Sequence, residues 1–487
     1  MTIATTRGPE PGFAKLKPLL VILLLVSVLR AYLMTLSSVD LFVDEIQYWW
    51  WSLELDWGYF SKPPMVAVLI YLVTSVFGHS VFAIKLGALL VYPATTLIIY
   101  LLGQKLVSET VGFWSAVLFI TLPGVALSST ITSTDVLLVL FWSAGMLCFI
   151  RSIETNSWFD WIACGIICGL GLLSKYNMAI FSLSALGYML FFGHAAQLKN
   201  PRLWIMAGIS LMILAPNIYW NYINGFPTIT HTAGYVAKKG LYPGRMISFI
   251  FEQAGIIGPV GFIVMWWWIF KGDKPKNLML NFSMPMFVII CMVALQGKHN
   301  ANWAAPMYVS IIIGMAHFLQ NRKKWLKIML ITNIVLGLMV QISDPLMSAA
   351  GVELKEAVDP FARVRGWKSW GQDLKTYTDR YPGLPLIVAG RHEITEVAFY
   401  TFGKPDANLL AWRPGPGIRD HFQLTRPYTG GSGPALFLTI LDPAIVGLYF
   451  SDVQQLGTVT RKISRDSQVD YTLYRVEGFK GYDLKSG

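Results

Sequence analysis

The chain is poor in charge. Of its 487 residues only 14% are Asp, Glu, Lys or Arg, whereas 54% are hydrophobic. A soluble protein of ordinary composition carries about a quarter charged residues, so a wholly soluble enzyme is excluded. Cysteine is scarce as well. Cys148, Cys164, Cys168 and Cys291 all lie inside apolar runs, which leaves neither a disulfide framework nor a zinc-ligand spacing. No glycine-rich phosphate loop, HExxH helix or Ser-His-Asp pattern is present, and no long repeat or low-complexity segment stands out. The N-terminus has a basic flank and an apolar helix without a small-x-small cleavage site, which reads as an uncleaved signal anchor.

What is present is a series of long apolar runs, near 17–36, 81–103, 110–127, 135–150, 157–173, 177–193, 203–220, 254–270, 278–296, 303–320 and 325–342. They predict an α-helical polytopic membrane protein of about 11 spans. The run 64–78 is shorter and opens on Pro63-Pro64; it is expected as an interfacial helix. The net charge of +11 is uneven: residues 1–342 hold 22 basic against 12 acidic residues, and the remainder 17 against 16. A basic excess confined to the membrane part fits inward-facing loops and argues against nucleic-acid binding. If 64–78 does not cross, the clusters "HAAQLKNPR", "KGDKPKN" and "QNRKKWLK" share the inner face with the N-terminus. The long loop 37–80, Asp135, Lys175 and residues 296–303 then share the outer face.

After about residue 343, Pro, Gly and charge return. "LPLIVAG", "ALFLTI" and "YTLYRV" read as strands and "EITEVAFYTFG" as a short helix between them. The expected organisation is a membrane domain over 1–342 and a small outer (periplasmic) α/β domain over 343–487.

The chemistry-bearing residues sit near span ends. Asp44 and Glu45 follow the first run, beside Tyr48, Trp49, Trp50, Trp51, Trp57 and Tyr59. Acids favour helix N-termini, but ionisable groups at membrane depth are usually functional; a lipid-facing aromatic belt is expected to flank them. Lys62, held by the two prolines, suits a lipid phosphate. Asp135 opens a helix, with Thr132, Ser133 or Thr134 as its cap. Lys175 is the only charge on a short outer turn and calls for an anionic partner. Asn217, Trp220, Asn221, His299, Asn302 and Trp303 supply amides and aromatics suited to a sugar.

Together "VDEIQYWWWSLELDWGYFSKPPM", "TSTDVLL", "LLSKYN", "PNIYWNYINGFPT" and "GKHNANWAAP" resemble the GT-C membrane glycosyltransferases, namely the bacterial branch of the dolichyl-phosphate-mannose protein mannosyltransferase group (family 39-like), to which lipid A aminoarabinose transferases are related. The resemblance implies transfer of one sugar, with inversion, from a polyprenyl-phosphate donor to an outer-face acceptor, without a nucleotide sugar. By carry-over Asp44 is the key carboxylate, with Glu45 and Asp135 as further catalytic candidates. Lys62 and Lys175 would hold the donor phosphate, and Tyr48, Tyr59, Asn217, Trp220, Asn221, His299, Asn302 and Trp303 the sugar or acceptor. Ser61 stands where the aminoarabinose branch is expected to have an acid, which leaves the metal site unknown: no cofactor is certain, and a divalent metal is possible. Lys62-Pro63-Pro64 replaces the His-Pro-Pro of the eukaryotic mannosyltransferases, which favours lipid A or another glycolipid over a protein as acceptor. The resemblance places the chain in the inner membrane, with its site and C-terminal domain facing the periplasm. A protein O-glycosyltransferase, a lipid-linked sugar transporter and a non-catalytic assembly or sensor protein are the competing classes.

Overall fold

The structure is a computed structural model that describes residues 13–236, 240–272, 276–415 and 417–482. Residues 273–275 of the expected inner basic loop, and most of the basic N-terminal flank, lie outside the described residues. The chain divides into two compact units, Met1–Leu36 with Lys62–Pro345, and Ser37–Ser61 with Leu346–Gly487.

The first unit is helical. Leu16–Leu36, Val81–Leu106, Thr134–Thr155, Pro201–Ile223, Lys276–Leu295 and Lys323–Ala349 are long and apolar enough to cross a bilayer, since about 20 residues at 1.5 Å rise span the hydrocarbon core. The chain is a multi-pass membrane protein. Five further apolar helices are shorter: Met65–Phe77, Glu109–Thr121, Trp158–Ser174, Tyr176–Phe191 and Met307–Leu319. Two expected spans are not continuous helices. The run 110–127 stops at Thr121 and restarts as Pro123–Ser128. The run 254–270 falls across Pro243–Ile257 and Pro259–Lys271, which meet at 112°. Both breaks sit at a proline, which lacks the N–H for an intrahelical bond and crowds the preceding turn; at the second, Gly258 supplies the positive φ of 80°.

Small residues set the helix spacing. A Cβ on Gly165 would lie 2.7 Å from the Met206 carbonyl oxygen, and one on Gly169 would lie 2.8 Å from Ile213 Cβ. Ser210 donates to the Gly165 carbonyl at 2.8 Å. Helix Trp158–Ser174 therefore lies directly on Pro201–Ile223, the close approach that small residues four apart permit in lipid. This fixes the ends that carry Lys175 and Asn217.

The second unit is α/β. Its five strands are β1 (Leu386–Val388), β2 (Leu409–Ala411), β3 (Ala435–Thr439), β4 (Phe450–Lys462) and β5 (Gln468–Phe479), in sheet order β2-β1-β3-β5-β4. β1 pairs in parallel with both β2 and β3, and β5 is antiparallel to β3 and β4. Ile387, Trp412, Phe437, Val446, Phe450 and Tyr474 form the core on one face. The three strands read from sequence are β1, β3 and part of β5. β2 and β4 were missed: β2 is three residues long, and β4 is exposed along much of its length, so neither shows a clean apolar pattern.

The second unit also contains Ser37–Ser61, which the sequence had placed with the membrane part. Asp40 Oδ2 accepts from the backbone of Trp367 at 2.9 Å and Lys368 at 3.2 Å, at the start of helix Trp367–Thr378. Leu41 N donates to Tyr400 Oη at 3.1 Å. In helix Val43–Leu53, Trp49, Trp50 and Trp51 are at most 1% exposed. Trp49 meets Phe399 edge-on, Trp50 packs on Phe422, and Trp51 stacks on Tyr59 with ring centroids 4.2 Å apart. The tryptophan run is therefore protein core and not a lipid-facing belt. Belt and core draw on the same amphipathic rings, and only the partners, among them Phe399 and Phe422 more than 300 residues away in sequence, separate them. Trp51→Ala is expected to destabilise this unit by about 3–5 kcal/mol, read by thermal unfolding; a residue facing lipid would leave the unit's melting unchanged.

Glu396 is fully buried with both carboxyl oxygens unpartnered. Burial pushes its carboxyl well above the usual range, and repulsion from Asp40 adds to this. A carboxyl with a raised folded pKa contributes its full stability below the unfolded value and loses it as pH rises through the folded one. Stability of this unit should therefore fall toward alkaline pH. Glu396→Gln should flatten that decline, measured by unfolding from about pH 5 to about pH 9.

Candidate active site

In the first unit, Ser174 ends a helix and the backbone turns extended at Lys175. This aims the lysine back to the first turn of Thr134–Thr155, where Nζ meets Asp135 Oδ1 at 2.6 Å. The anionic partner expected for Lys175 is thus Asp135. The other oxygen, Oδ2, accepts from Asn302 Nδ2 at 2.8 Å. Both charged side chains are about a tenth exposed, 13% for Lys175 and 9% for Asp135. A pair this sheltered is screened little by salt. The expected cap is only partly present: Ser133 is the N-cap without a side-chain bond, whereas Thr132 Oγ1 donates to the Ile84 carbonyl at 2.7 Å and accepts from Ala88 N at 3.3 Å. Thr132 thus ties the start of Thr134–Thr155 to helix Val81–Leu106.

Next to Lys175, Tyr176 donates to Asn217 Oδ1 at 2.5 Å and accepts from Asn221 Nδ2 at 3.3 Å. Asn217, Asn221 and Trp220 are all buried at the end of Pro201–Ile223. The expected amides therefore do gather, around a tyrosine not singled out from sequence although it adjoins Lys175 in "LLSKYN". His299 belongs to another cluster: its Nε2 lies 2.9 Å from Glu252 Oε1, which also accepts from Ser248 Oγ at 2.8 Å. Glu252 was missed because it stands alone in an apolar helix. Trp303 sits in the turn Ala301–Ala304, partly buried against the core. Lys62 is half-buried ahead of the buried Pro63 and Pro64 and the Met65–Phe77 helix.

In the second unit, Asp44 lies in the first turn of Val43–Leu53 with its side chain 55% exposed. Arg391 Nη1 donates to Asp44 Oδ1 at 3.1 Å and to Gln47 Oε1 at 2.8 Å. Glu45 is buried, and its Oε2 accepts from Phe42 N at 3.1 Å, the reach-back of a capping carboxylate. Tyr48 is 3% exposed and tilts against Trp51. Tyr59, 1% exposed, has one face on Trp51, an edge on His421 and its hydroxyl on the Trp51 carbonyl. The Tyr59 ring, expected at the sugar or acceptor, is packed in the core of this unit. His421 beside it is pushed down to about 3 by burial and stays neutral. Among the described residues no group of three or more His, Cys, Asp or Glu side chains forms a metal-binding set.

Residues 61–220 match the family described as dolichyl-phosphate-mannose-protein mannosyltransferase. The chain is 31% identical over 289 residues, 58% of its own length and 61% of the relative's, to the lipid A galacturonosyltransferase RgtD of Rhizobium johnstonii. It is also 31% identical over 192 residues, 34% of its length and 35% of the relative's, to the undecaprenyl phosphate-alpha-4-amino-4-deoxy-L-arabinose arabinosyl transferase of Pseudomonas savastanoi pv. phaseolicola. The alignments thus span less than two thirds of these relatives. Among solved structures, ArnT from Cupriavidus metallidurans bound to undecaprenyl phosphate superposes with a TM-score of 0.68 at 14% identity, covering 94% of this chain and 97% of that one. The chain has the ArnT fold, and its resemblance to the GT-C membrane glycosyltransferases stands.

The Lys175–Asp135 pair provides a direct test. Lys175→Met leaves a sheltered carboxylate without its counter-charge and is expected to cost about 3 kcal/mol or more. Adding Asp135→Leu should recover most of that loss. Thermal unfolding of the single and double variants in detergent measures the coupling; additive losses would show that the pair is not a unit.

Proposed function

We propose that this protein transfers a single sugar from a polyprenyl-phosphate donor to lipid A or a closely related lipopolysaccharide acceptor, at the periplasmic face of the inner membrane. The observation that carries the reading is the Lys175–Asp135–Asn302 cluster, set in an ArnT-like fold within a chain similar to a lipid A galacturonosyltransferase. About eleven crossings, with Met65–Phe77 lying in the interface, keep the basic loops inside and this cluster outside. The 343–487 domain, joined by the 37–61 loop, is assigned to the same side. Tyr71, Leu72, Val76 and Phe77 are exposed on the interfacial helix, an apolar flank suited to a prenyl chain.

The reaction is a displacement at the anomeric carbon. The bond from that carbon to the donor phosphate oxygen breaks, a bond to an acceptor oxygen forms on the opposite face, and polyprenyl phosphate leaves. Lys175, held by Asp135, and Lys62 neutralise the charge gathering on the departing phosphate. Asp135 is a positioning group in this scheme: both of its oxygens are already engaged. Asn217, Asn221 and Tyr176 form a polar shelf for sugar hydroxyls, with Asn302, Trp220 and Trp303 as its aromatic and amide surroundings; His299, in its own cluster with Glu252, is assigned to the acceptor. If the acceptor is a hydroxyl, Asp44 takes its proton. If the acceptor is a phosphate, no proton need move, and Asp44 orients it or steadies positive charge on the ring. Glu45 supports Asp44 by capping its helix.

A lipid-linked sugar transporter is the second reading, favoured by the broken helix pair at Gly258. Transporters typically place such breaks at corresponding positions of two halves, and among the described residues there is one bent pair. Mass spectrometry of lipid A from cells with and without the protein should show a difference of one sugar. Asp44→Asn should abolish that difference while the protein still accumulates in the membrane. Unchanged lipid A together with altered glycoproteins would favour the protein O-glycosyltransferase instead, and full activity of Asp44→Asn would favour transport.

A further inference from the structure

We infer that Arg391 is a positioning residue for transfer, aiming Asp44 from the C-terminal part of the chain; this rests on the reading that Asp44 serves the reaction. Arg391 follows β1 after only Ala389 and Gly390 and opens helix Arg391–Glu396. β1 is an interior strand, paired on one side with β2 and on the other with β3, so the arginine follows a strand held from both sides. Its Nη1 bridges Asp44 Oδ1 and Gln47 Oε1, residues three apart that share a helix face. Gln47 is 2% exposed, whereas the Asp44 side chain is 55% exposed.

That asymmetry separates the two contacts. The buried glutamine pins the guanidinium, and the pinned guanidinium takes one oxygen of an otherwise mobile carboxylate. Asp44 Oδ2 has no hydrogen-bond partner among the described residues and remains for the acceptor. An exposed ion pair contributes little to stability, so stability does not explain the arrangement. Fixing one carboxylate oxygen does, because misplacing a reacting group by about 1 Å can lower a rate about 100-fold. Only Nη1 makes these two bonds, and an ammonium carries three donors, so a lysine can serve both acceptors where alanine, with no donor, cannot.

The test measures sugar transfer to lipid A in isolated membranes at varied donor concentration, for the full chain and its Arg391→Ala, Arg391→Lys and Gln47→Leu variants. Arg391→Ala is expected to lower kcat about 10- to 100-fold with donor KM and melting temperature nearly unchanged. Arg391→Lys should recover most of the rate, and Gln47→Leu should lower kcat by a smaller factor. Placed on Asp44→Asn, Arg391→Ala should add no further loss to whatever residual rate remains. Wild-type kcat in Arg391→Ala, a rise in KM alone, or a rate loss that follows loss of folded protein would overturn the assignment. If Arg391→Ala is active and Asp44→Asn is not, only this inference falls; if Asp44→Asn is itself fully active, the proposed function falls first.

Discussion

Eight consecutive residues, Glu45 to Ser52, are buried in the 11-residue helix Val43–Leu53. No helix has eight consecutive positions on one face; at 3.6 residues per turn they go round the axis twice. The helix is therefore enclosed, and one this short is marginal on its own in water. It exists because Phe399, His421, Phe422 and the helix Arg391–Glu396 pack against it, while Asp40 just ahead of it is tied to the start of Trp367–Thr378. Glu54, paired with Arg426, and the Arg426 guanidinium 5.3 Å from the Trp50 ring secure its far end. The placement of Asp44 is thus a product of the C-terminal fold, although in sequence it belongs to the first loop.

The membrane unit applies the same logic with less apolar area to use. In lipid the hydrophobic effect does not drive helices together, and close packing with a few hydrogen bonds must hold them. Gly165, Gly169 and Ser210 bring two helices into contact, and the polar cluster forms where they end. Asp135 then joins segments 40 and 167 residues away through its two oxygens. Each oxygen is satisfied, which lets a carboxylate and an ammonium persist with so little exposure. A lysine held in this way can meet a phosphate without first being ordered, and that pre-organisation is what electrostatic stabilisation of a leaving group requires.

The sequence showed this unevenly, for identifiable reasons. Lys175 stood out because a lone charge between apolar runs needs a counter-charge, and Asp135 was already visible at a helix start. The amides of "PNIYWNYIN" recur at i and i+4 on one face, so Asn217 and Asn221 could be read together. Gly258-Pro259 and Leu122-Pro123 were legible as breaks, but hydropathy averaged over a window smooths such points away. Arg391 and Gln47 gave no signal at all: their relation spans 344 residues, and neither is unusual where it stands. The tryptophan run misled because interface belts and protein cores favour the same side chain, and burial is a property of the partner surface.

The family match falls almost wholly within the helical unit. Residues 61–220 include Lys62, Asp135, Lys175, Asn217 and Trp220, the residues assigned to the donor phosphate and part of the sugar shelf. Asp44, Glu45 and Arg391 lie outside it, in the other compact unit. A polyprenyl-phosphate leaving group presents the same anion whatever sugar it carries, so the groups that meet it face a constant requirement. Asp44 is thus held inside the α/β unit by the Arg391 guanidinium, and Lys175 is held against Asp135 inside the helical unit, each by contacts of its own unit.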